Sequence, residues 1–377
     1  MTRSIDVFAA CLPGLEPLVR RELEDLGIAG RELAGGVAFR GEVATILRAG
    51  LWLGCASHLL LRIAEFPCRA LGELQRKAAE LPWREWLHPN VPATIRATAS
   101  RSRVYHTGAI VERVENAIAA AFGRPLSSPA DDDDEAARIA VRFREDVCSI
   151  SIDATSTPLH RRGWRLAGGK APLREDLAHA LLRAAGMSAA DALLDPFCGA
   201  GTIAIEAAGI ARGLPPGRLR PPPLQHLGLF DHAAWSAVLA SVPAPRPHAP
   251  LQASDRDAGA IEATSANAER AGVADAIELH CTAFTKNPWL QPGHAPASGL
   301  LATNPPFGRR IAPGKDLLHL YQSLGHRIAQ LPAGWRTAVL AHDLRLARRV
   351  ATGLEAAFTT RHGGLAVTAL TDGPAAT

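Results

Sequence analysis

The chain has 377 residues, 47% of them hydrophobic and 21% charged, a length that suggests two or three domains and a composition that excludes a disordered tail protein or a small disulfide scaffold. Its formal charge of +4 permits a polyanionic partner without demanding one. Apolar runs such as residues 51–61 and 203–210 fall short of the ~18 to 20 residues of a membrane helix, and the first residues alternate like a strand rather than forming a secretory leader, so no membrane contact and a cytoplasmic location are expected.

In chain order, residues 3–10 read as a strand, and Leu15, Leu18, Val19, Leu23 and Leu26 as one face of a helix that Gly27 and Gly30 stop. A strand at 36–40 and a helix at 43–52 follow, units too short for a nucleotide-binding half and suited to small α+β modules. Alternation returns at 93–99. Residues 102–108 then lead into a helix with Ile110, Val114 and Ile118 on one side, and 139–143 and 147–152 pair around a turn at 144–146. Residues 155–170, rich in Pro, Gly and Arg, read as a linker and place a boundary near residue 160, dividing the chain into 1–160 and 161–377. Beyond it, strands at 192–195, 251–255, 277–281, 300–304 and 337–342 alternate with helices from 202, at 258–271 and at 317–331, and a last strand pair flanks His362-Gly363-Gly364. This pattern argues for a doubly wound, mainly parallel sheet. A proline-rich insertion at 214–250, with a helical piece at 235–239, interrupts it.

Charge is uneven. Residues 1–160 carry 19 basic and 21 acidic side chains and residues 161–377 carry 22 and 16, so −2 and +6 make up the formal +4. Five of the N-terminal acids form one run, Asp131-Asp132-Asp133-Asp134-Glu135, which suits a solvated loop. The six cysteines form no Cys-x-x-Cys pair and the 14 histidines no His-x-x-x-His, so buried free thiols and no metal site are expected.

Two motifs carry chemistry. In Asp195-Pro196-Phe197-Cys198-Gly199-Ala200-Gly201-Thr202 an apolar strand ends in an acid, a glycine-rich turn follows and a helix opens, which is where such sheets bind ligands. Gly199 and Gly201 bring no Cβ, so a nucleoside could approach the backbone closely. The next strand ends at Asp255, placed to accept hydrogen bonds from ribose hydroxyls; Asp257 competes for this role but is also explained as a helix N-cap. No Gly-x-x-x-x-Gly-Lys-Ser/Thr run is present, which disfavours a nucleoside triphosphatase. The second motif is Thr303-Asn304-Pro305-Pro306-Phe307-Gly308. Its prolines end the strand, so that the Asn304 side chain and the Pro305 carbonyl can both accept from one amino group, and Phe307 can stack on the base that carries it. Such acceptors matter because the lone pair of an exocyclic amine is delocalised into its ring until the nitrogen pyramidalises.

Together the two motifs resemble those of class I S-adenosylmethionine-dependent amino-methyltransferases. Residues 8–26, Tyr105-His106-Thr107-Gly108, Leu159-His160-Arg161-Arg162-Gly163-Trp164-Arg165 and Ala171-Pro172-Leu173-Arg174-Glu175 are similar to the THUMP-domain RNA methyltransferases, above all the bacterial group acting on guanine N2 of large-subunit ribosomal RNA. The resemblance implies an α/β fold, with a ferredoxin-like plus THUMP region that binds RNA ahead of a Rossmann-like methyltransferase domain. It implies S-adenosylmethionine as cofactor, with Asp195, Pro196, Phe197, Cys198, Gly199, Gly201, Thr202, Asp255 and Arg256 as its binding residues, and Asn304, Pro305, Pro306 and Phe307 as the catalytic ones. Cys198 reads as packing rather than as a nucleophile, since no His or Lys adjoins it.

Three departures stand out. Where such enzymes commonly carry an acid for the adenine amino group, this chain has Cys281-Thr282-Ala283-Phe284; after the catalytic motif it has Gly308-Arg309-Arg310 in place of an acid before the arginine; and it ends soon after Leu370, where some relatives continue into a second methyltransferase domain. Arg161, Arg162 and Arg165 around Trp164, and Arg212, Arg218 and Arg220 in the insertion, are candidate phosphate contacts. The expected activity is methylation of guanine N2 in RNA, with 23S rRNA ahead of tRNA. Adenine-N6 methylation and a catalytically silent RNA-binding factor are the alternatives, and the oligomeric state is left open.

Overall fold

A computed structural model describes residues 4–88, 92–126, 136–165, 173–307 and 317–373. The acidic run from Asp131 to Glu135, the pair Ala171-Pro172 and the triplet Gly308-Arg309-Arg310 lie outside the described residues.

The first half runs β1 (Ile5–Cys11), α1 (Glu16–Asp25), β2 (Gly30–Leu33), β3 (Gly36–Gly41), α2 (Val43–Trp52), β4 (Ala56–Pro67), α3 (Leu71–Ala79), α4 (Trp83–Trp86), β5 (Ala93–Ser100), α5 (Thr107–Phe122), β6 (Ala137–Arg144) and β7 (Val147–Asp153). Pro17 lies in the first turn of α1, where its fixed φ suits a helix start. Leu18, Val19 and Leu23 then form the buried stripe, and the chain leaves through Gly27 at φ +69°. In β6, Ala137, Ile139, Val141 and Phe143 are buried on alternate positions, and the turn into β7 places Glu145 and Asp146 at φ +53° and +62°, the backbone of a tight hairpin.

All seven strands form a single sheet in the order β2-β3-β1-β4-β7-β6-β5. Its spine is the 12-residue β4, which pairs antiparallel with β1 on one side and β7 on the other. The small α+β modules expected here share one layer through β4, in which Leu59 and Leu61 are fully buried, each worth roughly 1.5 to 3 kcal/mol.

The second half runs α6 (Glu175–Ala184), β8 (Ala192–Asp195), α7 (Thr202–Arg212), α8 (His232–Ala240), β9 (Leu251–Asp255), α9 (Ala258–Arg270), β10 (Ile277–Cys281), β11 (Ser298–Thr303), α10 (Leu317–Ile328), β12 (Gly334–Ala341), α11 (Leu344–Ala347), β13 (Glu355–His362) and β14 (Leu365–Thr371). The sheet order is β10-β9-β8-β11-β12-β14-β13, parallel through β12 and antiparallel at β14 and β13. From β8 the chain builds outward to β9 and β10, then returns to place β11 on the other side of β8. The order therefore reverses between β8 and β11, and a crevice at their carboxyl ends is the ligand position of such folds. Among the described residues no helix is long and apolar enough to cross a membrane.

The segment read as a linker is packed. Arg162 and Trp164 are each only 2% exposed. Arg162 donates to Glu206 of α7 (3.0 Å) and to the carbonyls of Leu159 (2.6 Å) and Gly54 (2.7 Å). Arg165 donates to Glu175 (2.8 Å), Leu173 O (3.1 Å) and Thr202 Oγ1 (2.6 Å). The insertion also folds back on the first half: Gly217 N–H donates to Leu51 O and Leu224 N–H to Ala154 O, at 2.8 and 2.7 Å. Arg220 reaches the carbonyls of Leu159 and Gly50, Arg218 that of Ala271, and Arg212 forks onto Asp275 at 2.9 and 2.7 Å. Arg162, Arg165, Arg218 and Arg220 satisfy carbonyls and carboxylates inside the fold, so the expectation of phosphate contact is corrected for these four; Arg161 is exposed and Arg212 pairs at the surface with Asp275.

Candidate functional site

The two motifs meet at the switch point. Asp195 ends β8, is 1% exposed, and its Oδ1 accepts from the Thr303 hydroxyl at the end of β11 (2.9 Å) and from Phe197 N–H (3.2 Å). This bond fixes the glycine turn against the strand that delivers Asn304. Burial pushes the Asp195 carboxyl up to about 7, and the Asp255 charge adds to the rise, while the Thr303 and Phe197 donors oppose it. A buried carboxylate without a cation favours its neutral form unless a positive charge arrives.

The turn itself is held from outside. Gly199 has φ +55° and open space where a Cβ would stand; Gly201 has φ +83°, and a Cβ there would meet Thr264 Cγ2 at 2.6 Å. Gly199 N–H donates to Asp255 Oδ2 (3.1 Å) and Cys198 N–H to Ser254 O (3.0 Å). From α9, the Thr264 hydroxyl donates to Gly199 O (2.8 Å) and the Asn267 amide to Ala200 O (2.9 Å). Sequence reading missed these two supports, although their spacing of three puts them on one helix face.

Asp255, half-buried at the end of β9, thus borders the turn. Asp257 instead caps α9, accepting from Gly259 N–H at 2.9 Å. Pro196 and Cys198 are buried, and burial together with the Asp195 charge raises the Cys198 thiol far above its usual range, in keeping with a packing role. Thr202 is buried and turned to Arg165, and Arg256 is exposed on the way into α9. Neither is brought to the crevice by a contact of its own.

Asn304, Pro306 and Phe307 are half-buried and Pro305 buried. The Tyr321 hydroxyl of α10 donates to Pro306 O (3.4 Å), and the Phe307 ring packs on His342, just past β12, with centroids 3.7 Å apart and planes at 38°. Where an acid was missing after β10, Phe284 meets Phe197 at 5.2 Å. No sequence signal linked His342 or Tyr321 to the motif, because both lie on later elements.

A second buried cluster holds the two halves together. His179 on α6 places Nδ1 2.8 Å from Glu206 and Nε2 3.2 Å from Glu22 on α1, and Glu22 also accepts from the backbone N–H groups of Gly54 (3.1 Å) and Cys55 (3.0 Å). Burial alone would lower the His179 pKa, yet the two carboxylates raise it. Glu22, Cys55 and His179 offer three ligand atoms within 4.8 Å of one another. Both ring nitrogens of His179 face carboxylates, Nδ1 on Glu206 and Nε2 on Glu22, which makes an ion-pair network across the two halves.

Comparison with known proteins gives family matches in both halves of the chain. Residues 162–368 match the RMKL-like methyltransferase domain, 6–60 the RlmL ferredoxin-like domain and 68–153 the THUMP domain. A protein of Allochromatium vinosum named ribosomal RNA large subunit methyltransferase K/L is 34% identical over 358 residues, 90% of this chain and 48% of that protein. The chain spans about half the length of the first such relatives it matches. A Synechocystis protein whose name proposes an RNA methyltransferase is 31% identical over 370 residues, 96% of this chain and 95% of that one. The crystal structure of SMU.472, a candidate methyltransferase complexed with SAH, superposes with a TM-score of 0.83 at 25% identity and covers 99% of both chains. The chain therefore belongs to the RMKL-like methyltransferase family, a ferredoxin-like and THUMP region followed by a class I S-adenosylmethionine-dependent methyltransferase domain.

Proposed function

We propose that this protein methylates the exocyclic N2 amine of a guanine in RNA, 23S rRNA foremost. The observation that carries the reading is the Asp195–Thr303 bond at 2.9 Å, which ties the glycine turn to the Asn304-Pro305-Pro306-Phe307 turn so that a methyl donor and an amine acceptor share one crevice. The ribosomal name of the K/L relatives supports RNA as the substrate. Mapping base methylation in ribosomal and transfer RNA from cells with and without the gene tests it: loss of one N2-methylguanosine from 23S rRNA is expected, and an unchanged 23S pattern overturns it.

S-adenosylmethionine fits the crevice by the open space over Gly199 and by the buried, uncompensated Asp195 carboxyl; when bound it supplies a methyl on a sulfonium that leaves as a neutral thioether. Asn304 and the Pro305 carbonyl accept the amine hydrogens and favour the pyramidal nitrogen, whose lone pair forms the new N–C bond as the S–C bond breaks. The methylated nitrogen, now carrying the positive charge, gives its proton to water. Phe307, packed on His342, supplies the ring on which the base stacks, and the base must be unstacked to enter. Catalysis is by positioning.

Asp255→Ala should weaken cofactor binding by roughly 1.5 to 3 kcal/mol for each ribose hydroxyl that no longer finds its acceptor, whereas Asp257→Ala should matter less to affinity and more to α9. Calorimetry that ranks them the other way assigns the ribose to the wrong acid.

Affinity should also depend on pH. With Asp195 at about 7 in the free protein, a bound cation favours the carboxylate and expels the proton. Cofactor affinity should therefore fall about tenfold for each pH unit below 7, until the pKa of the bound state is reached. Asp195→Asn should flatten that dependence. A wild-type affinity that does not change across this range removes the carboxylate from the site.

A further inference from the structure

At the outer edge of the first sheet, far from the two motifs in the chain, a groove of about 560 Å³ opens between the turn after α1, the edge strand β2, β3 and α2. Arg31, Arg40 and Arg48 line it, and no carboxylate is among its lining residues. Arg31 is exposed and makes no ion pair among the described residues. Arg40 pairs with the exposed Asp6 at 2.9 Å. Arg48 donates to Leu26 O at 2.8 Å, and its Nε–H is buried with no acceptor among the described residues.

Three arginines line this concavity against one paired carboxylate, the exposed Asp6, so it carries a positive surplus, and a buried donor without a partner carries a desolvation cost. Both conditions are relieved by an anion that brings several oxygens. We infer that this groove binds the phosphodiester backbone of the RNA substrate and gives it a second anchor away from the methyl-transfer crevice. The inference rests on the RNA reading above. A nucleic-acid strand can enter a concavity with its phosphates spaced along it, whereas the flat surface of a membrane cannot. Guanidinium forks bind such oxygens in pairs, and the contacts would release counterions from the strand.

The test uses the full chain, protein-free 23S rRNA fragments and a salt titration of binding. Arg31→Ser/Arg40→Ser changes two exposed side chains and should leave the melting temperature and the cofactor affinity unchanged. RNA affinity at low salt should fall about tenfold or more, and the slope of log affinity against log salt should become shallower by about 1.4, at 0.7 per single-strand phosphate contact. Arg31→Lys/Arg40→Lys should recover most of the slope, because the charge returns, and methyl transfer at saturating RNA should stay at the wild-type rate in both variants. If the wild type binds RNA and the serine variant binds it with the same affinity and slope, the groove assignment is wrong while the proposed function stands. If the serine variant loses affinity for inorganic phosphate alone, with RNA binding intact, the groove holds a small anion and the assignment is again wrong. A wild type that does not bind RNA removes the functional reading and this one with it.

Discussion

Asn304→Ala is expected to lose on the order of 10² to 10³ in the rate of methyl transfer in a single turnover, the scale of removing one preorganised polar partner, while retaining cofactor affinity and most RNA affinity. Asn304 follows Thr303, whose hydroxyl is fixed on Asp195, so the site loses one acceptor and keeps its frame. Because that acceptor bonds the amine most strongly as the nitrogen pyramidalises, its contribution grows between ground state and transition state. Phe307→Ala should differ in kind and weaken RNA capture as well, since a stacking platform holds the base before reaction. A variant lacking the Asn304 amide but transferring at the wild-type rate contradicts the mechanism.

The second large effect is on stability. Arg162→Ala should cost about 3 to 5 kcal/mol, because it leaves Glu206 buried beside an empty position, and the carbonyls of Leu159 and Gly54 lose their donor. Arg161→Ala, one residue away and exposed, should fall within about 0.5 kcal/mol. The same network sets a pH window. Burial alone would raise Glu206, but Arg162 and His179 hold it at about 2. Its contribution is therefore complete above the ordinary carboxyl value of 4.5 and fades as pH falls toward 2. His179 is raised, so its share is complete below its ordinary value of 6.5 and fades as pH rises through its folded value. Denaturant midpoints across pH should peak between these limits in the wild type and flatten in Glu206→Gln.

The elements with a clean period were legible in the sequence: α2 at residues 43–52 and the β6–β7 hairpin stand where alternation and turn residues put them. So were the acid and glycine turn after β8 and the proline turn after β11, since strand ends in a doubly wound sheet point to one crevice. What escaped was set by tertiary contact. The arginines near residue 160 look like surface charge in one dimension, yet Arg162 is buried by an acid 44 positions away. The proline-rich insertion carries no signal that it would clamp the first half through Gly217 and Leu224. His342 backs Phe307 from beyond the next strand, and neither residue marks the other. Edge strand β2 was missed because Gly30-Arg31-Glu32-Leu33 is short and polar, although it forms one wall of the basic groove.

Methylation of the guanine N2 amine in this crevice is read from the product. The most direct measurement incubates the purified protein with methyl-labelled S-adenosylmethionine and protein-free 23S rRNA, digests the RNA to nucleosides and separates them by chromatography with mass detection. Label is expected in N2-methylguanosine, dependent on Asn304. Label in N6-methyladenosine, or in no nucleoside while the cofactor is bound, contradicts it.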